Sequence, residues 1–124
     1  MRRNELSECE LIVMKCVWDG NGDITCAEVI EKLKTKYGLD YAETTVYTFL
    51  KNLKNKGFLE TYKDRITRFR PIRSEEEYRD DMLKKSIDFW FDGSTSQLVS
   101  AAVKTKKISD KEKSELQKLV KKLK

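Results

Sequence analysis

Apolar side chains recur at helical spacing in six stretches of this chain, and one short alternating segment separates the third stretch from the fourth. A Ser, Thr or Asp precedes each stretch, with Glu or Gln three residues on: Ser7/Glu10, Thr25/Glu28, Asp40/Glu43, Ser74/Glu77, Ser94/Gln97 and Ser109/Glu112. In a capping box the first side chain accepts from the amide three residues later, and the Glu or Gln reaches back to the cap amide. These pairs predict helices over 7–19, 26–37, 41–56, 75–91, 95–105 and 110–123. Ser114/Gln117 also fits, but it lies inside the last periodic run. Gly20 and Gly22 stop the first helix, Gly38 the second and Gly57 the third, each near a C′ position.

Residues 58–71 follow a different period. Leu59, Thr61 and Lys63 alternate with Glu60, Tyr62 and Asp64; Thr67, Phe69 and Pro71 alternate with Arg68 and Arg70. Two short antiparallel strands are expected, with a tip near Asp64-Arg65-Ile66. No Asn-Gly or Asp-Gly pair fixes their register. Pro71, the only proline, suggests a boundary between a module over 1–73 and a helical module over 74–124. The fold class is therefore mainly α with a small β-hairpin. Three helices closed by a hairpin is the winged helix-turn-helix plan, whose third helix enters the major groove of DNA.

Composition narrows the function. Of 124 residues, 38% are charged and 39% apolar, which suits a packed domain and not a disordered chain. No run approaches the ~18 apolar residues that a membrane-spanning helix requires. No apolar stretch follows Met1-Arg2-Arg3, so the expectation is a cytoplasmic protein without a secretory signal and without a membrane partner. Histidine is absent, which removes Ser-His-Asp triads and imidazole zinc sites. No Gly-rich phosphate loop or spaced acid cluster stands out. Glu75-Glu76-Glu77 and Asp80-Asp81 open a helix, where acids favour the dipole. No catalytic residue, cofactor or metal is expected, and the chain does not read as an enzyme.

The net charge of +5 is uneven. Residues 1–50 hold six Lys/Arg against nine Asp/Glu, and residues 74–124 hold twelve against ten. Residues 51–73 hold eight basic side chains against only Glu60 and Asp64, and this is where a polyanion would be drawn first. On the third helix, Val46, Phe49, Leu50 and Leu53 form the buried stripe. Glu43, Thr44, Tyr47, Thr48, Lys51, Lys54 and Asn55 fall outside it. Thr and Tyr can read base edges, and lysines suit phosphates. The hairpin adds Lys63, Arg65, Arg68 and Arg70. The plain structural alternatives are that Tyr47 packs on a neighbour and that the hairpin charges only guard an edge strand.

Helix one is apolar nearly all round, as a central helix in a small domain must be, and Trp18 reads as a core anchor. Glu10 reads as the capping partner of Ser7. Cys9, Cys16 and Cys26 form no disulfide pattern and read as small hydrophobes of a reduced compartment.

The motif Leu6-Ser7-(x2)-Glu10-(x3)-Met14-(x3)-Trp18 resembles the opening of the penicillinase and methicillin-resistance repressor family (BlaI/MecI type). Thr45-Val46-(x3)-Leu50-(x2)-Leu53-(x2)-Lys56-Gly57-Phe58-Leu59 resembles that family's recognition helix and the turn after it. Ser74-Glu75-Glu76-Glu77-Tyr78 and Gly93-Ser94-(x3)-Leu98-Val99 fit as well, so the resemblance covers nearly the whole chain. It implies a homodimeric transcriptional repressor on an inverted-repeat operator of double-stranded DNA, with an N-terminal winged helix on DNA and C-terminal helices making the dimer. Thr45 is at the position resembling the family's recognition-helix threonine; Tyr47, Thr48 and Lys51 fall where that family's helix faces the groove. Some relatives are inactivated by a protease that cuts between Asn and Phe in the fifth helix. Ala101 and Ala102 stand there instead, a departure that argues against such a partner. Copper-responsive relatives carry C-terminal cysteines; residues 27–124 have none.

The C-terminal helices carry three stripes: Met82, Leu83, Ile87, Trp90 and Phe91; Leu98, Val99, Ala102 and Val103; and Leu116, Leu119, Val120 and Leu123. They are expected to pair with a second copy across a two-fold interface, or else to fold back on helices one to three. The rival function is a winged-helix protein-interaction module without specific DNA binding.

Overall fold

The structure is a computed structural model and describes residues 6–123. The elements in order are α1 (Glu8–Asp19), β1 (Ile24–Thr25), α2 (Cys26–Tyr37), α3 (Glu43–Asn55), β2 (Leu59–Asp64), β3 (Ile66–Pro71), α4 (Glu75–Phe91), α5 (Thr95–Thr105) and α6 (Asp110–Lys122). All six helices fall within a few residues of their predicted spans.

The caps explain the boundaries. Ser7 and Thr25 each form a full reciprocal capping box, with Glu10 and Glu28. Ser74, Ser94 and Ser109 accept from the amides of Glu77, Gln97 and Glu112. Asp40 does not cap α3. Its N-cap is Ala42, with no side-chain cap, and α3 begins at Glu43, not at 41. Asp40 lies too far before the helix, and its carboxylate faces Lys34 at 3.6 Å.

The sheet has three strands in the order β1-β3-β2, all antiparallel. The hairpin register pairs Leu59 with Pro71, Tyr62 with Arg68 and Asp64 with Ile66. Arg65 closes the tip at φ 65°, a left-handed conformation that lets a one-residue connection reverse the chain. The sequence pattern does not predict β1. Its two residues are too short to show a period, and they pair with Phe69 and Arg68 only because α1 delivers them there.

The chain divides into two compact units, 1–79 and 80–124. The division falls six residues beyond the boundary suggested by Pro71, because the opening of α4 belongs with the first unit. Tyr78 is buried there, its ring 5.3 Å from Phe58 and its hydroxyl accepting from the Leu6 amide at 2.9 Å. Trp18 donates its indole N–H to the Arg73 carbonyl at 2.9 Å, and Lys15 pairs with Glu75. The core of this unit is Val13, Met14, Cys16, Val17, Ile24, Val29, Leu33, Val46, Leu50, Leu53, Phe58, Leu59 and Phe69, all nearly or fully buried.

In the second unit the apolar residues come to the surface. Leu83, Val99, Val103, Leu119 and Val120 are exposed, and Trp90 is 71% exposed. Ile87, Phe91, Leu98 and Leu116 are half-buried, and Ala102 is exposed. No residue of α5 or α6 is buried. Phe89, outside the predicted stripes, is 69% exposed and meets Trp90 edge-on, with ring centroids 4.8 Å apart. No helix among the described residues is long and apolar enough to cross a membrane.

Candidate nucleic-acid interface

One face of α3 anchors the helix and the other is free. Val46, Leu50 and Leu53 are fully buried, and Phe49 packs edge-on against Tyr41 at 5.7 Å. Thr44, Thr45, Tyr47, Thr48 and Lys51 are exposed. Tyr47 packs on a neighbour without being covered by it. Its ring meets Phe69 edge-on at 6.0 Å, yet the residue stays 45% exposed. The ring is thus braced on one side and still partly open to solvent. Thr48 donates its hydroxyl to the Thr44 carbonyl at 2.9 Å, so it offers a methyl group and acceptor lone pairs, not a free donor. Lys54 leans toward the hairpin, donating to Thr61 Oγ1 at 3.3 Å.

The far end of α3 is pinned by a charge pair. Lys56, its C-cap residue, lies 2.7 Å from Glu10 Oε1. Glu10 is only 6% exposed and also accepts from the Ser7 amide at 2.9 Å. Burial pushes its carboxyl up, but Lys56 and Ser7 outweigh that and hold its pKa below the usual value. Glu10 is therefore the capping partner expected, with a second role that local sequence did not reveal.

The wing is braced from behind by Asp23, which precedes β1. Its Oδ1 accepts from the Tyr62 hydroxyl at 2.7 Å and from Arg68 at 3.1 Å. The Tyr62 hydrogen bond and the nearby Arg68 hold the Asp23 carboxyl below its usual range. Arg68, which the sequence counts among the basic residues of the wing, is half-buried and paired with Asp23, because its strand position faces Tyr62 and the turn before β1. Arg70 pairs with Glu60 at 3.1 Å and covers the Tyr62 ring at 4.2 Å. Lys63 and Arg65, at and beside the tip, are exposed.

An open groove joins these parts: Glu43 and Tyr47 of α3 line it together with Lys63, Arg65, Ile66 and Thr67 of the wing. Cys26 also borders it, and burial raises its thiol pKa. Cys16 is buried in the core, and burial raises its thiol as well. Cys9 lies 3.6 Å from the Tyr41 hydroxyl. Sequence reasoning missed Asp23 and the Glu10–Lys56 pair. The only signal for Asp23 was its place in the Gly20–Asp23 turn, which says nothing about a wing 39 residues away.

Residues 6–122 match the family model described as Penicillinase repressor. The chain belongs to the penicillinase repressor family. A solution structure of the DNA-binding domain of the repressor BlaI is 32% identical, over 60% of this chain and 89% of that one, with a TM-score of 0.50. The monomeric form of Bacillus licheniformis BlaI, in complex with the blaP half-operator, is 34% identical over 60% of this chain and 88% of that one, at TM-score 0.49. A complex structure of hsRosR-S1, 18% identical over 85% of this chain and 95% of that one, has a TM-score of 0.53 and shares the fold alone. No curated protein sequence matches the chain. Membership of this family of repressors makes the protein a DNA-binding transcriptional regulator with a winged-helix domain.

Proposed function

We propose that the protein is a homodimeric repressor of the cytoplasm that recognises an inverted-repeat operator. In this reading α3 enters the major groove and the wing tip lies on the flanking backbone. The observation that carries it is the exposed row Thr44, Thr45, Tyr47, Thr48 and Lys51 on α3, together with the exposed cations Lys63 and Arg65, which line one groove with Tyr47. Threonine and tyrosine supply base-edge contacts, and the cations supply register on the phosphates. The likeness to the DNA-binding domain of the repressor BlaI supports the same use of this domain.

The dimer follows from the exposed apolar faces of α4, α5 and α6, which a second copy would cover. Leu83, Ile87, Trp90 and Phe91 of α4 would meet their counterparts, with Leu98, Val99, Ala102 and Val103 of α5 and Leu116, Leu119 and Val120 of α6. An isologous contact between identical chains imposes two-fold symmetry on the DNA site as well.

Selection of random duplexes by the purified protein tests the reading. The expected winner is a palindrome holding two protomers, with half-sites about one helical turn, on the order of 34 Å, apart or a multiple of that. A pool that enriches no sequence rejects it. Tyr47→Ala should cost about 1–3 kcal/mol at the preferred site and relax the sequence preference at one position per half-site. An unchanged selection profile would remove Tyr47 from the base-reading set.

The wing divides into contact and brace. Arg65→Gln should weaken binding to all duplexes alike and flatten the salt dependence by roughly one unit of slope for each phosphate no longer neutralised. Arg68→Gln should leave that slope in place, because its guanidinium is held by Asp23. Titration of each variant against one duplex over a range of salt concentrations measures both. An unmoved slope for Arg65→Gln would take the tip off the backbone.

A further inference from the structure

Positive charge gathers in a second place, well away in sequence from the wing. From Lys104 to Lys122 the chain carries eight lysines against Asp110, Glu112 and Glu115. Residues 74–103 are the reverse, with Arg79, Lys84 and Lys85 against seven acids. All eight lysines are exposed. None has an ion-pair partner among the described residues. A surface with this much unpaired like charge repels itself, and a polyanion relieves the repulsion.

The lysines of α6 are also arranged. At 100° per residue Leu116, Leu119 and Val120 make one stripe, while Lys111, Lys118, Lys121 and Lys122 project from the opposite side. Lys111 and Lys118 are about 10 Å apart along the axis, and Lys118 and Lys122 about 6 Å. DNA presents one phosphate per ~3.4 Å of each strand, so flexible lysines at these intervals can reach separate phosphates. Helix energetics account for only part of this placement. Lys121 and Lys122 favour the C-terminal end of the dipole, but Lys111 sits in the first turn, where a cation is disfavoured. Covering the leucine stripe would leave the lysine row facing outward.

We propose that the lysine face of α6, with the connector Lys104–Lys107, is a second DNA contact that grips phosphates without reading sequence. It is distinct from the α3–wing interface and rests on the DNA-binding reading, though not on the operator's symmetry. Ammonium groups are compact point charges, and contacts to phosphates carry no sequence information, so this surface adds affinity to every duplex alike.

The test uses the full chain with Lys111→Gln, Lys118→Gln, Lys121→Gln and Lys122→Gln combined, and a second variant with the same four lysines changed to arginine. Each is titrated against the selected operator and a scrambled duplex of equal length over a range of salt. The Gln variant should bind both duplexes roughly tenfold more weakly, with a salt slope shallower by about one for each phosphate that no lysine neutralises any longer. The ratio of operator to scrambled affinity should not change. The Arg variant, which keeps the charge, should bind like the parent. Unchanged affinity and slope in the Gln variant overturn the proposal, as does a loss confined to the operator. A third arm uses anionic phosphatidylserine vesicles without DNA; loss of vesicle binding alone, with the duplex titrations unmoved, overturns it in favour of a lipid surface. Failure of the parent to prefer operator over scrambled duplex would instead reject the operator reading, and the slope would still test the lysine face.

Discussion

Trp90→Asp should turn the proposed dimer into a monomer and lower affinity for the proposed operator by roughly 10²–10⁴-fold, the largest effect expected of any single change here. Trp90 is 71% exposed in the single chain and stands beside Phe89 and Phe91 at the end of α4. A buried aromatic anchor of this size contributes heavily to an interface, and a carboxylate in its place must be desolvated without a partner. The loss reaches the DNA through avidity. One winged helix makes few phosphate contacts and alone binds duplex with a Kd on the order of 10⁻⁴–10⁻⁶ M. Joining two confers an effective concentration for the second of about a millimolar, and that gain disappears with the dimer. Equilibrium sedimentation at micromolar protein and titration of the operator measure the two halves. The thermal transition of the winged domain should stay near that of the parent. A parent protein that already sediments as a monomer would refute the dimer, and a Trp90→Asp dimer of full affinity would take Trp90 out of its interface.

Leu50→Ala should destabilise the winged domain by about 2–5 kcal/mol. Leu50 is fully buried on the inner face of α3 and belongs to a core shared with α1 and α2. Truncation removes apolar surface from that core and leaves a cavity the three helices can only partly fill. In a domain this small each kcal/mol shifts the melting temperature by about 4–8 °C, so scanning calorimetry would resolve it easily. Ile72→Ala is the control. Ile72 is 58% exposed, and its truncation should stay within about 0.5 kcal/mol. If the two variants melt alike, Leu50 is not the core position that its burial indicates.

The fate of particular residues shows which kind of information was readable. The caps Ser7, Thr25, Ser74, Ser94 and Ser109 were legible because capping is a contact over three residues. Asp40 obeyed the same spacing and failed, since a loose pattern cannot tell a cap from a nearby loop acid that Lys34 attracts. The outward row of α3 was legible because helical periodicity assigns faces without knowledge of the partner. The partner of Arg68 was not legible, because alternation assigns a strand face but not what lies over it; the carboxylate of Asp23 does. The surface position of the C-terminal stripes was not settled by their period, which fits a fold-back as well as a pair.

The sequence by itself determined the six helices, the hairpin and its tip, the buried and outward faces of α3, and membership of a repressor family, since all of these rest on local spacing or ordered motifs. Only the tertiary structure decided that α4 begins inside the first unit, that β1 joins the sheet, that Glu10 ties α1 to the end of α3, and that Asp23 braces the wing. These depend on which distant residues meet. Such meetings arise from the packing of whole helices, which no window of a few residues contains.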